Sequence, residues 1–220
     1  MQVDQEKLNQ FLGRFVADAG AAIHGPAVLI GEQLGLYKAL AAGGPFSSEE
    51  LAKKTGTAER YIREWLLGQT ASGYVNYDSA NGKYSMSPEQ AFTLANEDSP
   101  AYLPGLFYSI GALYRDQRKI AEAYKTGKGF GWHEHHNDLF IGTKKFFRPG
   151  YLANLVSSWL PSLDGVVAKL KAGARVADVG CGLGASTIIM AKAFPKSKFM
   201  ATIITWSQSS GLRTTLLQKV

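Results

Sequence analysis

The 220-residue sequence contains a single cysteine, Cys181, and no long uninterrupted run of apolar residues. One cysteine excludes an intrachain disulfide framework, so nothing in the sequence requires an oxidising compartment. The mostly apolar stretch of residues 19–31, which has no Asp, Glu, Lys or Arg, is shorter than the roughly 20 apolar residues that span a bilayer. It also contains His24 and Pro26. The first residues include acids and lack the apolar core of a secretory signal. We therefore expect a cytoplasmic protein with no membrane partner.

Acidic residues are almost missing from the C-terminal part of the sequence. The chain has 24 Lys and Arg against 18 Asp and Glu, which gives a net charge of +6. Residues 171–220 hold seven basic side chains and one acidic side chain, Asp178, whereas residues 1–90 hold eight basic and ten acidic side chains. The N-terminal part therefore lacks the basic face that binds nucleic-acid phosphates, and we expect no nucleic-acid partner.

The N-terminal part of the sequence begins with helical patterns. The apolar content of 45% suffices for a packed core. Apolar spacing over residues 11–40 predicts two helices, or one kinked helix, with the break at Gly25-Pro26. Ser47 and Glu50 then form a capping box, which predicts the start of a short second helix.

A third helix and a hairpin are expected next. Thr57 is expected to cap this helix. Its apolar stripe consists of Tyr61, Ile62, Trp65 and Leu66. Alternating runs on both sides of Asn81-Gly82 predict a hairpin. This order of elements is typical of a winged helix. Because Glu59, Arg60, Arg63 and Glu64 of the third helix cancel in charge, packing or dimerisation is favoured over DNA recognition.

The middle of the sequence is rich in aromatic residues, and helices are expected over residues 104–125 and 151–159. Residues 129–136 between them hold three of the four histidines. An extended His-x-His would place His133 and His135 on one side, as metal ligands require, but no further ligand is evident. The favoured interpretation is an aromatic and histidine wall of a small-molecule pocket, or a hydrogen-bonded turn, and we expect no metal.

A strand followed by a glycine-rich turn is predicted near the C-terminus. Residues 175–179 are expected to form a short buried strand, and the glycines let the chain turn sharply and a ligand approach the backbone. Gly180, Gly182 and Ala185 also fit the dinucleotide fingerprint. The carboxylate of Asp178 favours instead a cofactor with a positive group, such as the ammonium of a methionine moiety, because it would repel a pyrophosphate.

The string from Asp178 to Gly184 resembles the first motif of the class I S-adenosylmethionine-dependent methyltransferases. Further residues resemble a bacterial-type subgroup of that family with an N-terminal winged helix: 34–37, 50–52, 57–61, 131–135 and 146–151. The resemblance implies a mostly α winged-helix domain followed by an α/β Rossmann-like methyltransferase domain. It also implies S-adenosylmethionine as cofactor, a small-molecule methyl acceptor, and a homodimer formed through the winged helix.

The resemblance assigns functional residues as well. It implies that the amino-acid end of the cofactor is held by Asp178, Gly180, Cys181, Gly182 and Gly184. The expected substrate pocket contains Trp132, His133, His136 and Phe147. His133 and His135 are the candidates for a general base, and the catalytic residue is otherwise unknown.

The resemblance breaks off after Phe199. No Asp or Glu follows Asp178, so the acidic residue expected to bind the cofactor ribose at the end of the second strand is missing. Only the first strand, helix and second strand of the Rossmann-like domain are expected, and residues 200–220 lack convincing helical or strand periodicity. The predicted division is 1–90 (winged helix), 91–160 (helical linker that covers the substrate), 161–199 (start of the Rossmann-like domain) and 200–220 (atypical tail).

The codons of Met200 to Thr205 suggest a cause. Read two bases later, codons for Met-Ala-Thr-Ile-Ile-Thr permit Gly-Tyr-Asp-Tyr-His, and the resemblance leads us to expect Gly-x-Asp-x-His after Phe199. We hypothesise that residues 200–220 are the out-of-frame product of a one-base loss. The nucleotide sequence decides this, because a second frame without a Rossmann-like αβ pattern would make the tail a natural terminus.

We expect the chain as written to bind cofactor weakly or not at all and to have little or no activity. Apolar side chains that neighbouring strands would cover, Val176, Ile188, Ile189 and Phe199, are expected to be partly uncovered and to favour aggregation or dimerisation. A winged-helix DNA-binding transcriptional regulator and a non-catalytic dimerisation protein are the alternative functions.

Overall fold

The computed structural model describes residues 3–207 and 211–217, with side chains as far as Thr202. These residues form two compact units, which divide between Asn96 and Glu97. Among the described residues, no helix combines the length and the apolar character needed to cross a membrane.

The described part of the first unit consists of helices and a small hairpin. The helices are α1 (Gln5–Gln33), α2 (Leu36–Gly43), α3 (Ser48–Thr55), α4 (Glu59–Ala71) and α5 (Pro88–Leu94), and the strands are β1 (Asn76–Asp78) and β2 (Lys83–Ser85). The two strands pair antiparallel, as the sequence predicted, with Tyr77 opposite Tyr84. Phe46 adds an antiparallel bridge to Tyr84, which the sequence pattern did not predict.

Side-chain caps start three helices of this unit, α1, α3 and α5. Asp4 caps α1, because its carboxylate accepts hydrogen bonds from the amides of Glu6 and Lys7. The predicted capping box of α3 is confirmed: the Glu50 amide donates to Ser47 Oγ at 3.2 Å, and the Ser47 amide donates to Glu50 Oε2 at 2.7 Å. These bonds satisfy amides that the first helical turn leaves without partners.

Of the two possibilities predicted around Gly25-Pro26, the structure has one helix rather than two, whereas the predicted N-cap at Thr57 is wrong. Helix α1 runs through Gly25-Pro26 without a break, and the chain turns instead at Gly35. Gly35 has a φ of +68°, a conformation that glycine adopts at low cost because it has no Cβ. Helix α4 has Ala58 rather than Thr57 as its N-cap, and no side chain caps it.

The core of the first unit lies where α1, α2, α3 and α4 meet. Its buried side chains include Val28, Leu36, Leu40, Leu51, Ile62, Trp65, Leu66 and Val75. The Trp65 indole donates to the Ala27 carbonyl at 2.8 Å. Gly31 allows this packing, because a Cβ there would lie 2.6 Å from the Tyr37 ring. Tyr61, which the sequence placed in the apolar stripe of α4, is exposed instead.

The described part of the second unit contains four helices and a three-stranded sheet. They are α6 (Gly105–Thr126), α7 (Asn137–Asn154), α8 (Val166–Ala172), β3 (Arg175–Val179), α9 (Ala185–Ala193), β4 (Lys198–Ser207) and β5 (Gly211–Leu217). A 3₁₀ turn (Trp132–Glu134) precedes α7, and a π-helical turn (Leu155–Trp159) follows it. The sequence predicted a helix only over residues 151–159, because Pro149 interrupts the pattern of the longer helix α7.

The sheet has the order β3-β4-β5. Strand β3 pairs parallel with β4, with Asp178 beside Ala201, and β4 pairs antiparallel with β5. The predicted strand, helix and strand are therefore present. Residues 200–207 and 211–217 lie in strands, although their sequence has no convincing helical or strand periodicity; the Thr residues of both segments and the Ile residues of the first favour extended backbone. Residues 208–210 and 218–220 of the tail lie outside the described residues.

One face of this sheet packs against helices. Leu160, Leu170 and Phe194 form a buried cluster, against which Val176 and Phe199 are half-buried. Side chains on the other face are open to solvent: Val179 is 62% exposed and Met200 is 44% exposed. The packed face fixes the position of the β3 end, where the glycine-rich turn begins.

Candidate functional site

Three glycines shape the loop between β3 and α9. Gly180, Gly182 and Gly184 have φ values of +77°, +55° and +73°, which side chains with a Cβ rarely adopt. A Cβ at any of the three would meet nothing within 4 Å. Backbone conformation therefore requires these glycines, and the space around them is open.

The loop is anchored to the neighbouring strand. The amides of Gly180 and Cys181 donate to the Thr202 carbonyl of β4 at 2.8 and 3.2 Å. Helix α9 begins at the far end of the loop, with Gly184 as N-cap and no side-chain cap. An uncapped helix N-terminus presents N–H groups that attract negative groups. The loop is therefore fixed at its start and offers free N–H groups at its end.

Asp178 joins the end of β3 to the start of α9. Its Oδ2 atom accepts hydrogen bonds from the Ser186 hydroxyl at 2.8 Å and the Thr187 hydroxyl at 2.6 Å. Within the described part of the chain, no hydrogen bond reaches Oδ1. Asp178 thus orders the first turn of α9 and keeps one carboxylate oxygen for a further positive group. The sequence favoured the second of these roles over a structural one, in which Asp178 would cap the amides of the turn.

Cys181 is not an activated nucleophile. Burial, with the Asp178 carboxylate as a second cause, raises the pKa of its thiol. Because the thiolate is the reactive form, a raised pKa lowers its reactivity at neutral pH. Cys181 is best explained as a small side chain within the turn.

A cavity of about 240 Å³ lies between this loop and α7. On the α7 side its lining residues are Phe140, Thr143, Lys144, Phe147 and Tyr151. Their spacing of three, four, seven and eleven residues from the first places them on one face of the helix. Trp132 of the 3₁₀ turn lies beside them, and its ring contacts Phe140 at a centroid distance of 5.6 Å. We call Trp132, Phe140, Phe147 and Tyr151 the aromatic wall.

The structure brings most of the predicted site residues together. Those that line the cavity are Asp178, Gly180, Cys181, Gly182, Trp132 and Phe147. Gly184 instead caps α9, and His133, His135 and His136 lie outside the lining. Their roles stay predictions. The sequence missed the other α7 residues of the lining, although helical spacing across Pro149 was the signal that could have identified them: Phe140, Thr143, Lys144 and Tyr151.

The extended His-x-His segment considered from the sequence is not present. Residues Trp132–Glu134 form a 3₁₀ turn. His135 Nδ1 lies 2.9 Å from Asp116 Oδ2, and His136 Nδ1 accepts the Asp138 amide at 3.2 Å. Within the part of the chain that the structure describes, no group of three or more His, Cys, Asp or Glu side chains could hold a metal ion. The segment is a hydrogen-bonded turn that carries Trp132 to the cavity.

Asp116 of α6 holds this turn in place. Its carboxylate is buried and accepts the His136 amide at 2.8 Å and His135 Nδ1 at 2.9 Å, with Lys119 Nζ at 3.5 Å. The hydrogen bond from the His136 amide is the main cause that lowers the pKa of Asp116, against the opposing effect of burial. No sequence pattern indicated this residue, because the two histidines that it bonds lie 19 and 20 residues away along the chain.

We expect Asp116→Asn to loosen the turn and to lower the unfolding midpoint by about 5 °C at neutral pH. Asparagine has the size of aspartate but no charge, so it loses the charge-assisted hydrogen bonds from His135 Nδ1 and the His136 amide. Because folding lowers the pKa of Asp116, its contribution to the free energy of unfolding is present at neutral pH and is lost as the pH falls below about 3.9. Melting curves of the two proteins should therefore converge in acid. A constant difference across that range would contradict the role.

Comparison with known proteins identifies the first unit. The model of the Rv2258c-like winged HTH domain matches residues 22–96. Residues 22–96 form a winged helix-turn-helix domain. No curated protein sequence is significantly similar to the chain.

Solved structures share the fold of the chain at low sequence identity. Human N-acetylserotonin methyltransferase in complex with SAM has a TM-score of 0.58 at 16% identity, over 91% of this chain and 60% of that one. The mitomycin 7-O-methyltransferase MmcR has a TM-score of 0.56 at 18% identity, over 89% of this chain and 59% of that one. PigF with SAH has a TM-score of 0.53 at 18% identity, over 93% of this chain and 59% of that one.

The chain spans about 60% of the length of these structures. They show its fold: the winged helix is joined to part of a Rossmann-like methyltransferase fold, which is the fold class that the sequence predicted.

Proposed function

We propose that the chain is derived from an S-adenosylmethionine-dependent methyltransferase that acts on a small molecule. The observation that carries this proposal is one cavity with two unlike sides. On one side lie Asp178 and the open glycine loop, and on the other lies the aromatic wall. Two structures with this fold are described as complexes with SAM or SAH, which supports the same cofactor here.

The residues of the loop fit the amino-acid end of this cofactor. Asp178 Oδ1 would accept its ammonium, and the free N–H groups at the start of α9 would attract its carboxylate. When bound, S-adenosylmethionine supplies an electrophilic methyl group on a sulfonium. The chain's own contribution is to hold the acceptor against the aromatic wall, close to and in line with that group, and to exclude water.

DNA recognition is disfavoured by the ion pairs of α4. Arg63 pairs with Glu59 of the previous turn at 2.9 Å, and Arg60 pairs with Glu64 of the next turn. Arginines that are already neutralised on their own helix are poor phosphate ligands. We propose that the winged helix serves assembly rather than DNA binding.

The surface of α1 supports assembly with a second copy of the chain. From residue 3 to residue 23 only Leu8 is even partly buried. At 100° per residue, the exposed large apolar side chains of α1 fall within one stripe of about 140°. This stripe contains Phe11, Leu12, Phe15, Val16, Ile23 and Ile30. The part of α1 up to Ile23 therefore buries almost none of its apolar surface within the described residues. Because helices in proteins are stabilised mainly by packing of an apolar face, a homodimer through the stripe would stabilise this part.

Cofactor affinity is expected to be low. Asp178 is the last acidic residue of the sequence, so β4 offers no carboxylate to the ribose hydroxyls. The described residues that fit the cofactor lie at its amino-acid end. A dissociation constant of about 1 mM or weaker is therefore expected.

Binding of S-adenosylmethionine by the wild-type chain and by Asp178→Asn tests the proposal. Asparagine can still accept the Ser186 and Thr187 hydroxyl bonds but removes the charge, so α9 should stay ordered. We expect binding to weaken at least about tenfold. The matched control, Ser186→Ala, keeps the charge and should bind nearly as wild type does. Equal binding by wild type and Asp178→Asn would contradict the proposal.

A further inference from the structure

Two charged side chains line the cavity, and they differ in how they are engaged. Asp178 is bonded to the start of α9. Lys144 has no ion pair or hydrogen bond with any residue that the structure describes. Its neighbour Lys145 differs again, because its ammonium lies 5.6 Å from the centroid of the Tyr108 ring. Lys144 is thus a cation in the cavity that no described carboxylate neutralises.

The aromatic wall beside Lys144 leaves large apolar faces uncovered. Trp132 is 52% exposed and Phe147 is 49% exposed, although both line a concave surface. The Phe147 and Tyr151 rings are nearly parallel, at 21° with centroids 6.2 Å apart. Flat exposed rings around a cavity are best covered by a planar apolar ligand.

We propose that the cavity selects a planar aromatic acid as its ligand, and that Lys144 is the residue that determines this specificity. The ring system covers Trp132 and Phe147, and the anionic group pairs with the Lys144 ammonium. The Asp178 carboxylate repels the anion, which orients the acid group toward Lys144 and away from the glycine loop. This inference rests on the proposed function for the identity of the ligand as methyl acceptor, but binding itself requires no cofactor.

The test is a titration of the full chain, without cofactor, with two compounds of equal ring size. They are 2-naphthoate, which is anionic, and 2-naphthamide, which is neutral, and both are followed by naphthalene fluorescence. Wild type should bind the naphthoate about five- to tenfold more tightly. Lys144→Gln should bring the two affinities together, and Lys144→Glu should reverse the preference.

Lys128→Gln is the matched control, because Lys128 is exposed and outside the cavity lining. It should keep the preference, which separates a local effect from the overall charge of +6. Near-ultraviolet circular dichroism verifies that each variant is folded. The proposal is overturned if wild type binds both compounds equally or neither, if Lys144→Gln keeps the preference, or if Lys128→Gln loses it. None of these results depends on S-adenosylmethionine, so a failure of the proposed function would be seen separately, in the cofactor titration.

Discussion

A single added methyl group at position 142 is expected to destabilise the second unit by about 2–3 kcal/mol. Gly142 is buried in α7 where this helix crosses α6. A Cβ there would lie 2.7 Å from the Ser109 amide nitrogen and 2.8 Å from the Gly105 carbonyl oxygen, and it would also collide with Ser109 Oγ. Backbone atoms cannot move aside as a flexible side chain can, so Gly142→Ala must separate the two helices.

Gly150 provides a matched control on the same helix. A Cβ at Gly150 would meet nothing within 4 Å. Alanine is intrinsically the better helix former by roughly 1 kcal/mol, so Gly150→Ala should be neutral or stabilising. Urea unfolding of the two variants measures the difference directly. If Gly142→Ala were as stable as Gly150→Ala, the close approach of α6 and α7 would be contradicted.

The separation of α7 from α6 by Gly142→Ala would also change the cavity. Helix α7 carries Phe140, Thr143, Lys144, Phe147 and Tyr151 to the cavity. A shift of α7 away from α6 therefore moves most of the lining at once. We expect Gly142→Ala to weaken aromatic ligand binding even at temperatures where the variant is fully folded.

Phe15→Glu is expected to dissociate the proposed homodimer. Phe15 is 62% exposed in the apolar stripe of α1. Burial of a phenylalanine side chain contributes about 1.5–3 kcal/mol, and a two-fold interface loses it twice. The dimer dissociation constant should rise at least about hundredfold. Sedimentation velocity over a range of concentrations measures this change.

Ala17→Glu is the control for the added charge. Ala17 lies on the same exposed part of α1 but about 160° from Phe15 around the helix axis. It should leave the dimer intact. A wild-type chain that sediments as a monomer at all concentrations, or equal dissociation by both variants, would contradict assembly through the stripe.

Local patterns predicted the parts of the fold that depend on neighbouring residues. The capping box of Ser47 and Glu50, the hairpin around Asn81-Gly82 and strand β3 follow from residues within a few positions of one another. The choice of one helix rather than two around Gly25-Pro26 has a different origin. Packing of α1 against Trp65 and Tyr37 favours a continuous helix there despite Pro26, and this packing is not visible in the local pattern.

The glycine side of the site was predictable from contiguous residues, whereas on the aromatic side the resemblance named only Trp132 and Phe147 of the cavity lining. The Asp178 and glycine string is contiguous, so its chemistry can be inferred from sequence. The aromatic wall needs the face of α7 and the 3₁₀ turn to meet the loop, which is a tertiary property. The role of Asp116 was still less predictable from the sequence. It depends on bonds to His135 and His136, and nothing in the residues next to Asp116 indicates these bonds.

The most direct measurement of the central claim is a titration of the isotope-labelled chain with S-adenosylmethionine, observed through its backbone amide resonances. We expect shifts at Gly180, Cys181, Gly182 and the first turn of α9, with a dissociation constant of about 1 mM or weaker, and much smaller shifts in Asp178→Asn. Millimolar cofactor that leaves these amides unchanged, or that shifts only amides elsewhere, would contradict the assignment of the loop as the cofactor site. Micromolar affinity would contradict the inference that the ribose contact is missing.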